Sequence, residues 1–272
     1  MKTKGLALSL VILTLAFLLF SSNGAGLRSD LALQVQGYGF KDKSVFNQVG
    51  LEFFIPTGKG YSKSGWTNNV KLYHPGNNFP HDQGNGNMSI LYNFGHFEEG
   101  RSTFYDPNSE YFNAHYGVYA IHLNDSIFGW KNGALDEAAV TKIIAFDQLE
   151  LVMASLGCPA SRRHFDYQIT DVKEGHAMAG FSDWILINAV INTNSPLHHK
   201  TQNRLGYVQY GEPLKNYQGE DFPIVEMQGR IYLRYDEVHK VTVIYFVIGK
   251  TLEFIEKTSN DYLIPIEWND VN

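Results

Sequence analysis

The chain is poor in the residues that staple small proteins together. One cysteine, Cys158, stands among 272 residues, so neither an intrachain disulfide framework nor a multi-cysteine zinc site can form. Basic residues are also short: 22 Lys and Arg face 28 Asp and Glu, a formal net charge of −6. General nucleic-acid binding wants a basic face, and this balance argues against it. Lys59, Lys63 and Lys71, and His198, His199, Lys200 and Arg204, are modest local positives that read as solvated faces. There are no heptads, low-complexity tracts or convincing repeats. Beyond the first twenty residues no run is long and apolar enough to span a bilayer. Gly-x-Ser-x-Gly, phosphate-loop, dinucleotide and helical zincin patterns are missing too, so a reaction is not written in any contiguous motif.

The amino terminus is the most informative stretch present. Lys2 and Lys4 form a positive region, Leu6 to Phe20 is uncharged and largely apolar, and Ser21 to Gly26 is small and polar. That order is expected of a secretory signal peptide covering 1–26, cut after Gly24 or Gly26. The alternative is a retained membrane anchor, although the apolar run of about fifteen residues is shorter than the ~20 that cross a bilayer comfortably. Residues 27–42 read as a polar lead-in, and 43–272 as one globular domain. The body is therefore expected to be secreted or extracytoplasmic.

That body, 44% hydrophobic and only 18% charged over the whole chain, has enough apolar content for a sizeable core. Strand patterns recur at Val49–Ile55, Val70–Tyr73, Met88–Phe94 and Tyr116–Leu123, with a loop rich in Asn, Gly and Pro at Asn77–Asn87. Asp136 is an expected N-cap, and Gly157 with Pro159 an expected stop, for the one long helix. Its apolar face changes between Val140, Ile143 and Ile144 and the group Leu149, Val152, Met153 and Leu156. A break near Phe146–Gln148 follows. Trp184–Thr193 alternates, with Ile185, Ile187, Ala189 and Ile191 on one side and Trp184, Leu186, Asn188 and Asn192 on the other. Leu205–Tyr210 and Ile231–Tyr235 continue a meander. Val241–Ile248 is apolar on both sides, as in a central strand covered on both faces. Thr251–Thr258 fits either a short helix or a strand. The pattern predicts an α+β fold, mainly antiparallel sheet with one major mid-chain helix.

Candidate chemistry is scattered. Cys158 could be a nucleophile, but it follows a helix carboxyl end, where the dipole disfavours a thiolate; a small buried cysteine is the plainer reading. His74, His81 and Asp82 bracket the Asn/Gly loop and could converge on one metal ion, the only cofactor the sequence suggests. His198 and His199 are adjacent and would point to opposite sides of a strand. Asp106, Glu110 and Asp183 sit beside aromatics, as carbohydrate-cleaving carboxylates do and as many surface acids do. Asn87 and Asn124 head glycosylation sequons.

Aromatic and polar residues interleave from Tyr92 to Tyr119. Within this stretch Tyr105, Tyr111, Asn113, His115 and Tyr116 could form a platform for a sugar or other amphipathic ligand; the alternative is that the rings fill the core. The leading expectation is an exported, non-catalytic binding or interaction module whose ligand is a carbohydrate or envelope component. A secreted hydrolase assembled only in the fold, from His and carboxylates or Cys158, is the competing one. A structural envelope component is the third.

Overall fold

The computed structural model describes residues 45, 51–54, 67–73, 86–93, 97–98, 101–199, 213–214 and 216–270. The signal-like segment 1–26, the lead-in 27–42, His74, His81, Asp82 and the expected strand Leu205–Tyr210 lie outside them.

In chain order the strands are β1 (Leu51–Phe54), β2 (Thr67–Tyr73), β3 (Gly86–Asn93), β4 (Phe97–Glu98), β5 (Arg101–Ser102), β6 (His115–Leu123), β7 (Trp130–Lys131) and β8 (Ala134–Leu135). Helix α1 (Glu137–Phe146) follows, then β9 (Phe165–Met178), β10 (Phe181–Asn194), β11 (Ile224–Asp236) and β12 (Val241–Gly249). Helix α2 (Leu252–Thr258) and β13 (Glu267–Asp270) close the chain. Seven strands form one antiparallel sheet in the order β2-β3-β6-β12-β11-β10-β9, and β1 pairs with β13 apart from it. The fold is α+β, as the pattern implies.

Strand β12 holds the middle of that sheet, and every one of its residues is buried. Its alternate residues feed two different cores. Ile244, Phe246 and Ile248 join Val140, Ile143 and Ile144 of α1 on one face. Val241, Val243, Tyr245 and Val247 join Phe254 and Ile255 of α2 on the other. A strand with two dry faces needs apolar residues throughout, which is why its sequence shows no alternation. Each fully buried side chain of this size contributes about 1.5–3 kcal/mol.

Helix α1 begins where Asp136 accepts the Ala139 N–H at 3.1 Å. Its i→i+4 pattern then gives way to a π-helical segment, Asp147–Val152, before one last turn at Met153–Ser155. This is the break expected near Phe146–Gln148. The wider turn rotates the following face so that Val152, Met153 and Leu156 still reach the same core as Ile143. Gly157 ends the run at φ +83°, a conformation glycine adopts without a Cβ clash. The ambiguous Thr251–Thr258 stretch is helical because the Thr251 side chain accepts the Phe254 N–H and Phe254 and Ile255 have an apolar face to cover. Among the described residues no helix is long and apolar enough to cross a membrane.

Three departures stand out. Strand β9 is not among the expected strands, although Phe165, Tyr167 and Ile169 alternate with Asp166, Gln168 and Thr170, and it pairs along almost the whole of β10. It is the outer strand, so Asp166, Lys173 and Glu174 can stay in water, and its register shifts opposite Asn188/Ala189. Strand β11 starts at Ile224, well before the expected Ile231. Asn87 belongs to β3, paired with His122, not to the preceding loop.

Candidate functional site

The expected aromatic platform is corrected by burial. Tyr105 and Tyr116 are 1% exposed, and Asn113 and His115 are 2% exposed. Strand β6 lies between β3 and β12 with both faces covered, so side chains near its start enter cores in place of solvent. Tyr116 stacks on Tyr262 at 5.3 Å, and Tyr105 packs edge-on with Phe104. Tyr111 alone is half-buried, edge-on to Phe254 with the Lys257 ammonium 5.9 Å from its ring centre.

The other sequence candidates have structural partners. Asp106 accepts the Asn108 N–H in a turn, Glu110 pairs with Lys257, and Asp183 accepts from Arg234 at 2.7 Å. Cys158 is buried, and burial pushes its thiol pKa up despite the opposing pull of Arg163 and Arg162. That is the inert cysteine, not the nucleophile. Among the described residues, no three His, Cys, Asp or Glu side chains gather to hold a metal ion.

Beneath α1 the structure instead assembles a buried polar chain. The π-helical turn places consecutive residues Asp147 and Gln148 inside, both essentially without solvent contact. The Tyr119 hydroxyl donates to Asp147 Oδ2, and Gln148 Nε2 donates to the same oxygen at 3.3 Å. Gln148 Nε2 also donates to His115 Nε2 at 3.0 Å, which requires that nitrogen to be the unprotonated one. Burial lowers the His115 pKa to about 4, with hydrogen bonds to the Asn113 backbone and Gln148 only partly opposing it. The ring is therefore neutral at ordinary pH. Phe246 seals the chain, stacked on Tyr119 and edge-on to His115. Its placement suits internal order, since no ligand reaches a group so deeply covered.

A second polar region faces outward on the α2 side of the sheet. Register places three rows across β9, β10 and β11: Asp166–Asn192–Glu226, Gln168–Val190–Gln228 and Asp171–Asn188–Arg230. Eight of the nine positions are polar, and only Arg230 is buried, at 9% exposure. Arg230 donates from Nε to Asn188 Oδ1 at 2.8 Å and from Nη2 to Glu256 of α2 at 3.0 Å. Asn188 Nδ2 in turn lies 3.5 Å from Asp171 Oδ2, which Lys173 approaches at 3.2 Å. The hydrogen bond to Arg230 holds the Glu256 carboxyl below its ordinary pKa. Asn188 and Asn192 were visible on one side of β10 in the sequence. The other two strands of the array lie outside the sequence expectation, which places no strand at Phe165–Met178 and only Ile231–Tyr235 of β11.

A third arrangement sits at the end of β10. His198 is buried against Phe222, while His199 is exposed, so the adjacent pair does diverge. Asp221 Oδ1 accepts both the His199 backbone N–H at 2.6 Å and the ring Nδ1 at 2.8 Å. These two bonds hold the Asp221 carboxyl below its ordinary pKa, and they leave His199 Nε2 directed away from the pair. The Tyr217 ring lies 5.4 Å from the imidazole. No protein-family model, curated protein or solved structure matches the chain.

Proposed function

We propose that this is an exported protein that acts outside the cytoplasm as a non-catalytic binding module, using the outward face of β9, β10 and β11. The observation that carries the reading is that face. The central strands β6 and β12 are almost wholly buried, whereas here seven exposed or half-buried hydrogen-bonding side chains in fixed register meet water beside the buried Arg230. Export rests on the positive, apolar and small-polar order of residues 1–26. A body that relies on one buried cysteine and no disulfide must then hold together by its two apolar cores.

The test has two arms. Amino-terminal sequencing of the exported protein is expected to begin at Ala25 or Leu27; an intact Met1 would make the segment an anchor. Purified protein is expected to co-sediment with isolated cell envelopes of its own host, and no co-sedimentation would defeat the binding reading. The His199–Asp221 pair favours one competing reading, a hydrolase in which Asp221 orients His199 as a general base. Hydrolysis of ester, glycoside or peptide substrates that His199→Ala abolishes would replace the binding module with that enzyme.

A further inference from the structure

We propose that the β9–β11 face binds a neutral, hydroxyl-rich polymer, a polysaccharide laid across its three rows. This rests on the binding-module reading and specifies its ligand. The chemistry of the face selects among ligands by its charge and its donors. Its cations are already engaged: Arg230 with Glu256, and Lys173 with Asp171. An anionic polymer would meet only spent cations and the carboxylates of Asp166 and Glu226. A protein partner would want a large apolar or aromatic anchor, and the one apolar residue among the nine is the half-buried Val190.

What the face does offer is amides and carboxylates. Asn192, Gln168 and Gln228 each present both a donor and acceptors, which matches hydroxyl groups that donate and accept alike. Strand spacing sets these groups about 4.8 Å apart across the sheet and roughly 7 Å apart along each strand. Arg230 and Asn188 hold one another, so the inner row is ordered before any ligand arrives. No ring belongs to the nine positions, so each row can contribute hydrogen bonds only. Affinity per row is then small, and a chain long enough to touch all three rows gains by linkage.

The experiment is retention of the purified protein on a panel of neutral polysaccharides, namely β-glucan, α-glucan, mannan and chitin, with heparin as the anionic probe. At least one neutral polymer is expected to retain it, and a hexasaccharide of that polymer is expected to bind more tightly than the disaccharide. The paired change Gln168→Ala with Gln228→Ala is expected to weaken retention about ten-fold or more, while Lys142→Ala on the exposed side of α1 leaves it unchanged. Both altered side chains reach solvent, and matching unfolding curves would confirm that the variant is folded. Undiminished retention by the folded double variant overturns the proposal, as does preference for heparin. Binding to host envelopes without binding to any neutral polymer overturns the polysaccharide while sparing the binding module. Failure to bind envelopes at all removes both.

Discussion

The chain from His115 through Gln148 and Asp147 to Tyr119 and the array on β9–β11 both draw on amides and carboxylates, joined inside by two rings and outside by the Arg230 cation. One is sealed under α1 and Phe246, and the other meets water. Inside, each polar atom that loses its partner bears its full desolvation cost, so the arrangement must be complete. Outside, water replaces any lost partner, and the same residues are free to change with little effect on folding. The buried set therefore reads as a device for internal order, and the open set as the surface available for a ligand.

Replacement of Asp147 should separate the two regions most clearly. Asp147→Ala strands the Tyr119 hydroxyl and one Gln148 hydrogen bond and leaves a cavity, so a loss of about 3–5 kcal/mol is expected in urea unfolding. Asp171→Ala on the open face is expected to change stability by no more than about 0.5 kcal/mol. Similar values for the two substitutions would break the comparison.

Acid acts next on the buried side. His115 has a folded pKa of about 4 against 6.5 in the unfolded chain, so on acidification the unfolded state takes the proton first. Its contribution is intact above pH 6.5, falls as the pH drops, and is fully lost below about 4. A shift of this size corresponds to about 3 kcal/mol. Asp147, two hydrogen bonds away through Gln148, is the nearest buried carboxyl that could oppose this effect. Stability measured from pH 7.5 to 4 should fall more steeply in the native protein than in His115→Gln. Parallel curves would show that the imidazole titrates freely.

A smaller effect tests the rule that interior polar atoms need partners. The Tyr167 hydroxyl is buried, with no hydrogen-bond partner among the described residues, in a narrow apolar crevice beside Ile144, Ile191 and Ile248. Burial, reinforced by the charge on Glu137, raises its pKa. Tyr167→Phe removes the unmet group at nearly constant volume, so thermal and urea unfolding are expected to show a gain of about 1 kcal/mol. A loss would mean that the hydroxyl has a role the geometry does not reveal.

How much of this was legible depends on where each strand sits. Strand β12 and helix α1 announce themselves, one because both its faces are dry and the other because Asp136 and Gly157 mark its ends. The π-helical turn was foreshadowed by the change of apolar face, although nothing local shows that it carries Asp147 and Gln148 inward. Strand β9 shows only a short alternation, Phe165, Tyr167 and Ile169 against Asp166, Gln168 and Thr170, because beyond it an outer strand can keep Asp171, Lys173 and Glu174 in water. With β9 missing, the three rows could not be seen. The aromatic residues around Tyr105 and Tyr116 misled for the opposite reason: composition does not distinguish a ring that faces a ligand from one that faces a core.

The smallest effect probes the open face directly. Glu256→Gln removes the carboxylate from Arg230, whose guanidinium remains bonded to Asn188. The Glu256 side chain is 59% exposed, so water and salt screen most of the attraction, and a loss of about 0.5 kcal/mol or less is expected near neutral pH. The sign with pH is the same as for His115, a loss on acidification, but it falls in a more acidic window. Because the Glu256 carboxyl is held below its ordinary value of 4.5, its contribution is present above that value and disappears as the folded form takes up a proton. The difference between Glu256→Gln and the native protein should therefore vanish in acid and shrink in high salt. A loss above about 1.5 kcal/mol that salt does not touch would make Arg230 and Glu256 part of what holds α2 to the sheet. The boundary between the ordering and binding regions would then run through this pair, leaving the two outer rows, Asp166–Asn192–Glu226 and Gln168–Val190–Gln228, as the surface free to meet a ligand.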